Sequence, residues 1–482
     1  MRVLLIYPCE MSVYKGTRFE FKQTQECLPP LNVAVLAGAL RRAGHEVRAV
    51  DLQVEAAPEA ILRQTVVTWR PDIVGISFKT PVVGQARHLV ALIRRIAPEV
   101  LLVGGGVHAT HFPRQSLAEI DLDVVVIGEG DETIVRLADG QPLAEIDDVA
   151  YRREGEIVVN SDFDELGHVC LRHIIENLDE LAYPDWGVFD LRKYPPVSRL
   201  FYDAVPVGFL ETSRGCRGQC VFCSKGVYGS TWRAKSPRRV VDEIEQMLDY
   251  GFREIEIVDD SFTTVPDRAV AICEEILRRK LQFPWCCRNG LRVNDVNQEF
   301  FYLARKAGLH LLALGFETGN EELLRRMKKG ATLQRGRQAA RWAKQAGMTV
   351  MGYFLMGLPG ETEQTLQETI DYACSLSIDF VKYNLAIPLP GTRLHDMWKD
   401  RIKVTHWGQY NFHVPPRGLY DHPDLDWDTL EAYVRRGYRR FYLRAGYLLG
   451  QLVRLTRQRR LQVSAATAWN LLRGPREQHT ED

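Results

Sequence analysis

Along the first 140 residues, short continuous apolar runs alternate with stretches of helical period. Residues 2–7 contain Val-Leu-Leu-Ile, residues 45–51 read as a second strand, and 72–77, 100–106 and 123–128 give three more apolar runs. Apolar runs without polar alternation predict strands buried on both faces, as in a parallel sheet. Residues 31–43 carry helical period and stop at Gly44. Strand, helix and strand in repetition predict an α/β fold that begins with an open, doubly wound parallel sheet. Several of these strands end in small residues: Ser77, Gly104-Gly105-Gly106 and Gly128-Glu129-Gly130. Ligands of such sheets bind outside the carboxyl ends of the strands, where glycine admits close approach. Three successive strand ends of this kind point to a bulky ligand.

From Gly208 a second alternating series begins. Its strands are expected at 208–213, 254–258, 311–316, 349–356 and 380–386, with helices such as 238–250 and 321–327 between them. Over about 190 residues this pattern predicts a full or partial (β/α) barrel. Residues 141–200 are of mixed polarity and end rich in proline, which reads as a linker packed between the two units. The organisation expected is therefore 1–140, a linker over 141–200, a barrel over 201–400 and a helical region over 401–482.

Composition narrows the class. Among 482 residues, 62 Lys and Arg balance 62 Asp and Glu, so the chain lacks the basic excess of a dedicated nucleic-acid binder. No apolar run reaches the ~18 residues of a membrane span, and the opening segment is too short for a signal peptide. A cytoplasmic protein is expected. The neutral total hides one segregated stretch: residues 435–460 hold nine Arg and no Asp or Glu, inside a predicted helix over 430–472. Such a helix either packs on the barrel with a solvated basic face or makes a peripheral contact with an anionic membrane.

Ten cysteines in a reducing compartment should be thiols. Cys9, Cys27, Cys170, Cys273 and Cys374 are isolated and read as small buried hydrophobes. Cys286 and Cys287 fall in an expected strand and should point to opposite faces, one of them near substrate or both in the core. Cys216, Cys220 and Cys223 differ: they form C-x3-C-x2-C just after the first strand of the second series. Three thiolates so close converge on one soft metal site. A structural zinc site would want four ligands, usually as two spaced pairs, and no fourth Cys or His lies nearby. A 4Fe–4S cluster on three thiolates leaves one iron open for chemistry. No G-x-G-x-x-G opening a helix and no G-x-x-x-x-G-K-[ST] is present, so a dinucleotide is disfavoured and the P-loop nucleotide enzymes are excluded.

The cysteine loop resembles that of the radical S-adenosylmethionine (SAM) superfamily. Other segments match at the expected places: Gly315-Phe-Glu317-Thr-Gly319 resembles the element that contacts the methionine end of SAM. Tyr353-Phe-Leu-Met-Gly357-Leu358-Pro359-Gly360-Glu-Thr resembles the segment near the adenine, and Asp259, Asp260 and Arg292 sit where that family has polar site residues. By the same resemblance Phe222, inside the cysteine loop, is assigned to cofactor binding. The N-terminal region is similar to the Rossmann-like cobalamin-binding domain of one large branch, through Pro29-Pro30-Leu-Asn, 71–77, Val103-Gly104-Gly105-Gly106-Val-His108 and Ile127-Gly128-Glu129-Gly130. The D-x-H-x-x-G motif is absent, which implies cobalamin without a His below the cobalt. Ser77-Phe-Lys-Thr80 would then lie under the corrin, with Gly104, Gly105, Gly106, Gly128, Glu129 and Gly130 along it.

What the resemblance implies is a cobalamin-dependent radical SAM methyltransferase with a partial (β/α)6 barrel. Its cofactors would be a 4Fe–4S cluster on Cys216, Cys220 and Cys223, SAM and cobalamin, and an external donor of flavodoxin or ferredoxin type would supply electrons. The substrate would be a small or lipid-like molecule, not nucleic acid. The alternative within the branch is a reaction without methyl transfer, such as the ring closure of anaerobic porphyrin cyclases. A methylthiotransferase would want three N-terminal cysteines, and only Cys9 and Cys27 precede residue 170. A non-enzymatic cobalamin sensor would have no use for the cysteine loop.

Overall fold

The computed structural model describes residues 1–9, 27–195, 201–411 and 417–448. The first unit contains β1 (Arg2–Tyr7), α1 (Leu31–Arg42), β2 (Glu46–Asp51), α2 (Pro58–Trp69), β3 (Ile73–Ser77), α3 (Val83–Ile96), β4 (Leu101–Gly105), α4 (Val107–His111), α5 (Pro113–Glu119), β5 (Val124–Val126) and α6 (Gly130–Ala138). The sheet order β2-β1-β3-β4-β5 is parallel throughout and reverses direction between β1 and β3. That reversal is where such sheets take their ligands. It puts the Ser77–Thr80 segment beside the end of β1.

The period of two in a strand sorts the core. Val3 and Leu5 of β1 face one side with Val33, Ala37 and Leu40 of α1, whereas Leu4 and Ile6 face Leu62 of α2 and Leu89 of α3. Past residue 140 the sheet continues with the antiparallel strands β6 (Val149–Arg153) and β7 (Glu156–Val159), followed by the small hairpin of β8 (Asp162–Phe163) and β9 (Val169–Cys170). The expected linker thus adds an edge to the first sheet. Its later part does pack between the units: Trp186 meets Phe252 edge-on at 5.0 Å.

The second unit runs through β10 (Val207–Leu210), β11 (Ser213–Arg214), β12 (Arg233–Ala234), α7 (Pro237–Tyr250), β13 (Glu254–Ile257), α8 (Pro266–Arg278), β14 (Trp285–Arg292), α9 (Gln298–Lys306), β15 (Leu309–Glu317), α10 (Glu321–Arg326), α11 (Leu333–Gln345), β16 (Thr349–Met356), α12 (Glu363–Ser375) and β17 (Phe380–Leu385). Strands β10-β13-β14-β15-β16-β17 pair in parallel and in chain order, with β10 and β17 as the two outermost strands. The barrel is partial, with six strands, as the sequence implies.

Two helices follow, α13 (Arg393–Trp398) and α14 (Trp427–Tyr442). The hydroxyls of Tyr438 and Tyr442 reach the backbone of β17: Tyr442 Oη lies 3.1 Å from Val381 N and 3.2 Å from its carbonyl, and Tyr438 Oη accepts from Tyr383 N at 3.2 Å. The predicted helix over 430–472 matches as far as α14, and its part beyond residue 448 lies outside the described residues. Among the described residues no helix is long and apolar enough to cross a membrane.

Candidate functional site

The cysteine loop leaves the barrel at the carboxyl end of β10 and is anchored from β13. Asp259 is buried and accepts from Thr212 N at 2.5 Å, Thr212 Oγ1 at 2.5 Å and Ser213 Oγ at 2.6 Å. Its carboxylate is therefore committed to the root of the loop. Burial raises that carboxyl above its ordinary value, while Arg268 and the three donors favour the ionised form. Asp260 accepts from Gly215 N at 3.2 Å. Gly215 has φ of +79°, and a Cβ there would strike the Thr231 carbonyl, so the turn into Cys216 requires glycine.

Cys216 and Cys220 are half-buried and Cys223 is exposed. Cys223 N bonds Cys220 O at 3.2 Å, closing a tight turn. Between them Val221 is buried in an apolar cluster that includes Leu355 and Leu358 of the adenine-type segment, and Phe222 packs partly buried against that cluster, so both pin the loop to the barrel. Among the described residues no three Cys, His, Asp or Glu side chains are grouped as a single metal ion would need. Each thiolate of a cluster instead ligates its own iron. Three thiolates are the donor set of a cluster with one open iron, whereas a structural zinc site wants four ligands.

Beside the loop stand cations that sequence reasoning had only in part. Arg292 bonds Asp295 at 3.2 Å and the Lys329 carbonyl at 3.3 Å. Lys329, which no motif singled out, is buried and pairs with Glu317 Oε1 at 2.5 Å. Burial raises the Cys220 thiol, and Lys329 and Arg292 pull it the other way. Positive charge is thus available where three thiolates and a carboxylate must coexist. Glu317 itself has φ of +64°, and a Cβ on Gly315 would come within 2.8 Å of its carboxylate and 2.9 Å of the Lys329 ammonium. Gly315 is the residue that lets this pair form.

Tyr353 donates to the Arg288 carbonyl at 2.7 Å. Gly357 turns with φ of +84°, and the amides of Gly357 and Leu358 both donate to one oxygen of Glu361, the second at 2.9 Å. Leu358 and Pro359 are buried there. Glu361 is fully buried, its other oxygen has no partner among the described residues, and burial pushes its carboxyl up to about 7.

On the other sheet, Ser77 Oγ accepts from Asn32 Nδ2 at 2.8 Å, and Thr80 Oγ1 lies 3.3 Å from His108 Nδ1. His108 is buried among Phe78, Phe112 and Trp407, and burial together with His111 holds it at about 3, hence neutral. Gly104 and Gly106 are also needed by the fold, since a Cβ would meet Leu122 in the first case and the Phe78 backbone in the second. Gly128 has φ of +71° against Leu171, and Gly130 starts α6. Gly105 alone of the run would accept a Cβ without a clash, its nearest neighbour Val126 lying 4.0 Å away.

The Glu129 side chain reaches the second unit. Its carboxylate is buried and bonds Arg214 at 2.7 Å and Arg233 at 2.5 Å. Arg214 also forks onto Asp131 at 3.0 Å and reaches Glu211 at 2.7 Å. A second bridge joins His111 Nε2 of the first sheet to Ser224 Oγ of the cysteine loop at 2.7 Å. These contacts bring the carboxyl ends of the two sheets face to face.

The remaining cysteines divide otherwise than expected. Cys27 and Cys273 are buried, Cys9 and Cys374 half-buried, and Cys170 is exposed because it ends a two-residue edge strand. Cys286 and Cys287 do point to opposite faces. Cys286 packs with Leu28, Tyr202, Val207 and Leu311, and Cys287 joins the core under the outer helices. Val207 and Leu311 lie at the starts of their strands, so Cys286 is remote from the cluster end of the barrel.

Residues 210–373 match the model of the Radical SAM superfamily, and residues 22–138 match that of the B12 binding domain. An uncharacterized methyltransferase of Pyrococcus horikoshii is 30% identical over 458 residues, spanning 93% of this chain and 94% of the relative. The anaerobic magnesium-protoporphyrin IX monomethyl ester cyclase of Rubrivivax gelatinosus is 30% identical over 463 residues, spanning 93% and 78%. Among solved structures, the radical SAM methyltransferase TsrM of Kitasatospora setae, with cobalamin and a 4Fe–4S cluster bound, has a TM-score of 0.66 at 20% identity, covering 82% of this chain and 76% of that one. The cobalamin-dependent SAM radical enzyme OxsB has a TM-score of 0.68 at 19% identity, covering 90% and 66%. The chain therefore belongs to the cobalamin-dependent radical SAM enzymes, and a 4Fe–4S cluster, SAM and cobalamin are its cofactors.

Proposed function

We propose that this enzyme methylates an unactivated carbon of a small or lipid-like molecule lying between its two facing sheets. The observation that supports the reading is the pair of bridges, Arg214 to Glu129 and His111 to Ser224, which hold the carboxyl ends of both sheets together. When bound, the cluster and SAM supply a 5′-deoxyadenosyl radical, and methylcobalamin supplies the methyl group. Cys216, Cys220 and Cys223 would hold three irons and leave the fourth for SAM. Glu317 and Arg292 would receive the methionine end of SAM, and the backbone of 357–359, with Tyr353 and Phe222, its adenosine. The Ser77–Thr80 segment and Gly104–Gly106, with the Gly128 and Gly130 backbone, would carry the corrin. The protein's own work is to orient these groups and exclude water.

Relatives named as methyltransferases and as a ring-closing cyclase both support the family but differ in outcome. Anaerobic turnover with SAM labelled in its methyl group separates them. Label in the product, with S-adenosylhomocysteine formed in step with 5′-deoxyadenosine, is the expected result. Product without label, alongside 5′-deoxyadenosine, would assign ring closure instead. An external flavodoxin- or ferredoxin-type reductant belongs to the same reading. So does peripheral contact of the basic face of α14 with anionic lipid, where Arg435, Arg436, Arg439 and Arg440 border one groove. Sedimentation with anionic vesicles tests that contact, and recovery in the supernatant at low salt would end it.

A further inference from the structure

The cysteine loop is tied to the first sheet at both of its ends. Arg214 precedes Cys216 by two residues, and its guanidinium is buried with Glu129 and Asp131 of the first unit and Glu211 of its own. Ser224 follows Cys223 directly and meets His111 at the end of α4. We propose that this two-point grip sets the spacing and alignment of the cluster against cobalt, with Arg214 and His111 as positioning residues.

Three features support the grip. First, the Arg214 end is saturated in a way only a fork allows: Nε donates to Glu211, Nη1 to Glu129, and Nη1 with Nη2 to Asp131, while the ring of Tyr228 covers the guanidinium at 5.1 Å. A lysine has the charge but not the planar fork. Second, the surroundings are charge-balanced. Arg214, Arg233, Lys235 and Arg239 are set against Glu129, Asp131, Glu211 and Glu243, all of them buried. Buried ion pairs seldom exceed well-packed apolar residues in stability, and their better-attested use is to fix one register out of several. Here the register is that of the cluster loop on the turn between β5 and α6.

Third, His111 is cut to fit. Its ring lies where a Cβ on either Gly226 or Gly391 would collide with it, so two glycines from separate loops clear the path to Ser224. Methyl transfer and hydrogen abstraction must act on one carbon, and misplacement by about 1 Å can cost on the order of 100-fold in rate. A loop of thiolates held at one end would pivot. Held at both ends, it cannot.

This inference rests on the cofactor pair of the reading above but not on the outcome of the reaction. The test uses the full chain, loaded anaerobically with iron, sulfide and cobalamin, and compares it with Arg214→Lys, His111→Ala, Ser224→Ala and the Arg214→Lys/His111→Ala double variant. Pulsed dipolar EPR between the reduced cluster and cob(II)alamin reads their distance distribution. Single variants should broaden it about twofold, and the double variant further, with iron and cobalamin content unchanged. In cofactor-free protein, amide exchange over 215–224 should rise about tenfold in the same variants. Distributions as narrow as wild type in every loaded variant would overturn the proposal. Ser224→Ala removes one hydroxyl and keeps the test alive if the Arg214 variants do not fold. A wild type that has a narrow distribution but forms no S-adenosylhomocysteine overturns methyl transfer and leaves the grip standing.

Discussion

Replacing Glu361 by Gln isolates what one buried carboxylate contributes to the turn that faces the adenosine. Glu361 is fully buried and binds two backbone amides, yet burial lifts its carboxyl from an ordinary 4.5 to about 7. The native state thus holds the proton more tightly than the unfolded chain does. Below about pH 4.5 both states are protonated and nothing is lost; as pH rises towards 7 the unfolded chain ionises first, and the native state loses stability relative to it. Fully ionised, the displacement is worth about 3 kcal/mol at ~1.4 kcal/mol per tenfold. Gln keeps an oxygen for the Gly357 and Leu358 amides and carries no proton to lose. Between pH 5 and pH 8, Glu361→Gln should therefore gain about 2 to 3 kcal/mol relative to wild type. Urea midpoints of the two chains at pH 5, 6, 7 and 8 measure this, since other titrating groups cancel in the difference. A difference that is flat with pH, or one that favours Glu at pH 8, would refute the reasoning.

Three further outcomes are expected. Gly38 lies in α1 where a Cβ would run into the Tyr183 carbonyl, so Gly38→Ala should lower the urea stability by about 1–3 kcal/mol. An exposed helical glycine would gain roughly 1 kcal/mol from the same change, and any gain here contradicts the packing. In the native chain freed of metal, iodoacetamide should modify the exposed Cys170 and spare Cys273, Cys286 and Cys287 until urea is added; peptide mass mapping decides. Tyr442→Phe should cost about 1 kcal/mol in thermal or urea unfolding, because the Val381 amide loses its acceptor, and an unchanged midpoint would count against that role.

Strand β2, at the sheet edge, alternates, whereas strands β1, β3, β4 and β5 are legible because parallel strands buried on both faces must be apolar throughout. Strands β6 and β7 are not, for the opposite reason. Val149, Ala150 and Tyr151 are buried, but Arg152, Arg153 and Glu156 are exposed, and β7 is an edge strand of half-buried residues. Mixed polarity there reads as a linker. The cysteine loop is legible because metal chemistry fixes the spacing of its ligands locally. Arg214 and Lys329 carry no such mark: the partners of Arg214 include Glu129 and Asp131, 85 and 83 residues away, and Lys329 meets Glu317 from across a helix. Ion pairs made by folding leave no periodic trace in a sequence. Asp259 shows a further contribution that a motif does not mark, since its carboxylate holds the Thr212 backbone at the root of the loop.

The two tyrosines on α14 settle how a barrel can stay unclosed. A strand that borders a gap exposes bare amides and carbonyls, an invitation to pair with another chain. Tyr438 and Tyr442 are four residues apart, ~6 Å along a helix, while Val381 and Tyr383 are two apart, ~6.6 Å along a strand. The near-equality of those repeats lets a helix answer a strand hydroxyl for amide, with the two rings parallel to within 5° and 6.3 Å apart. In effect α14 is an imitation seventh strand. Unlike a real one it is docked by side chains, so the width of the seam it guards can change by repacking one helix, without re-registering a sheet.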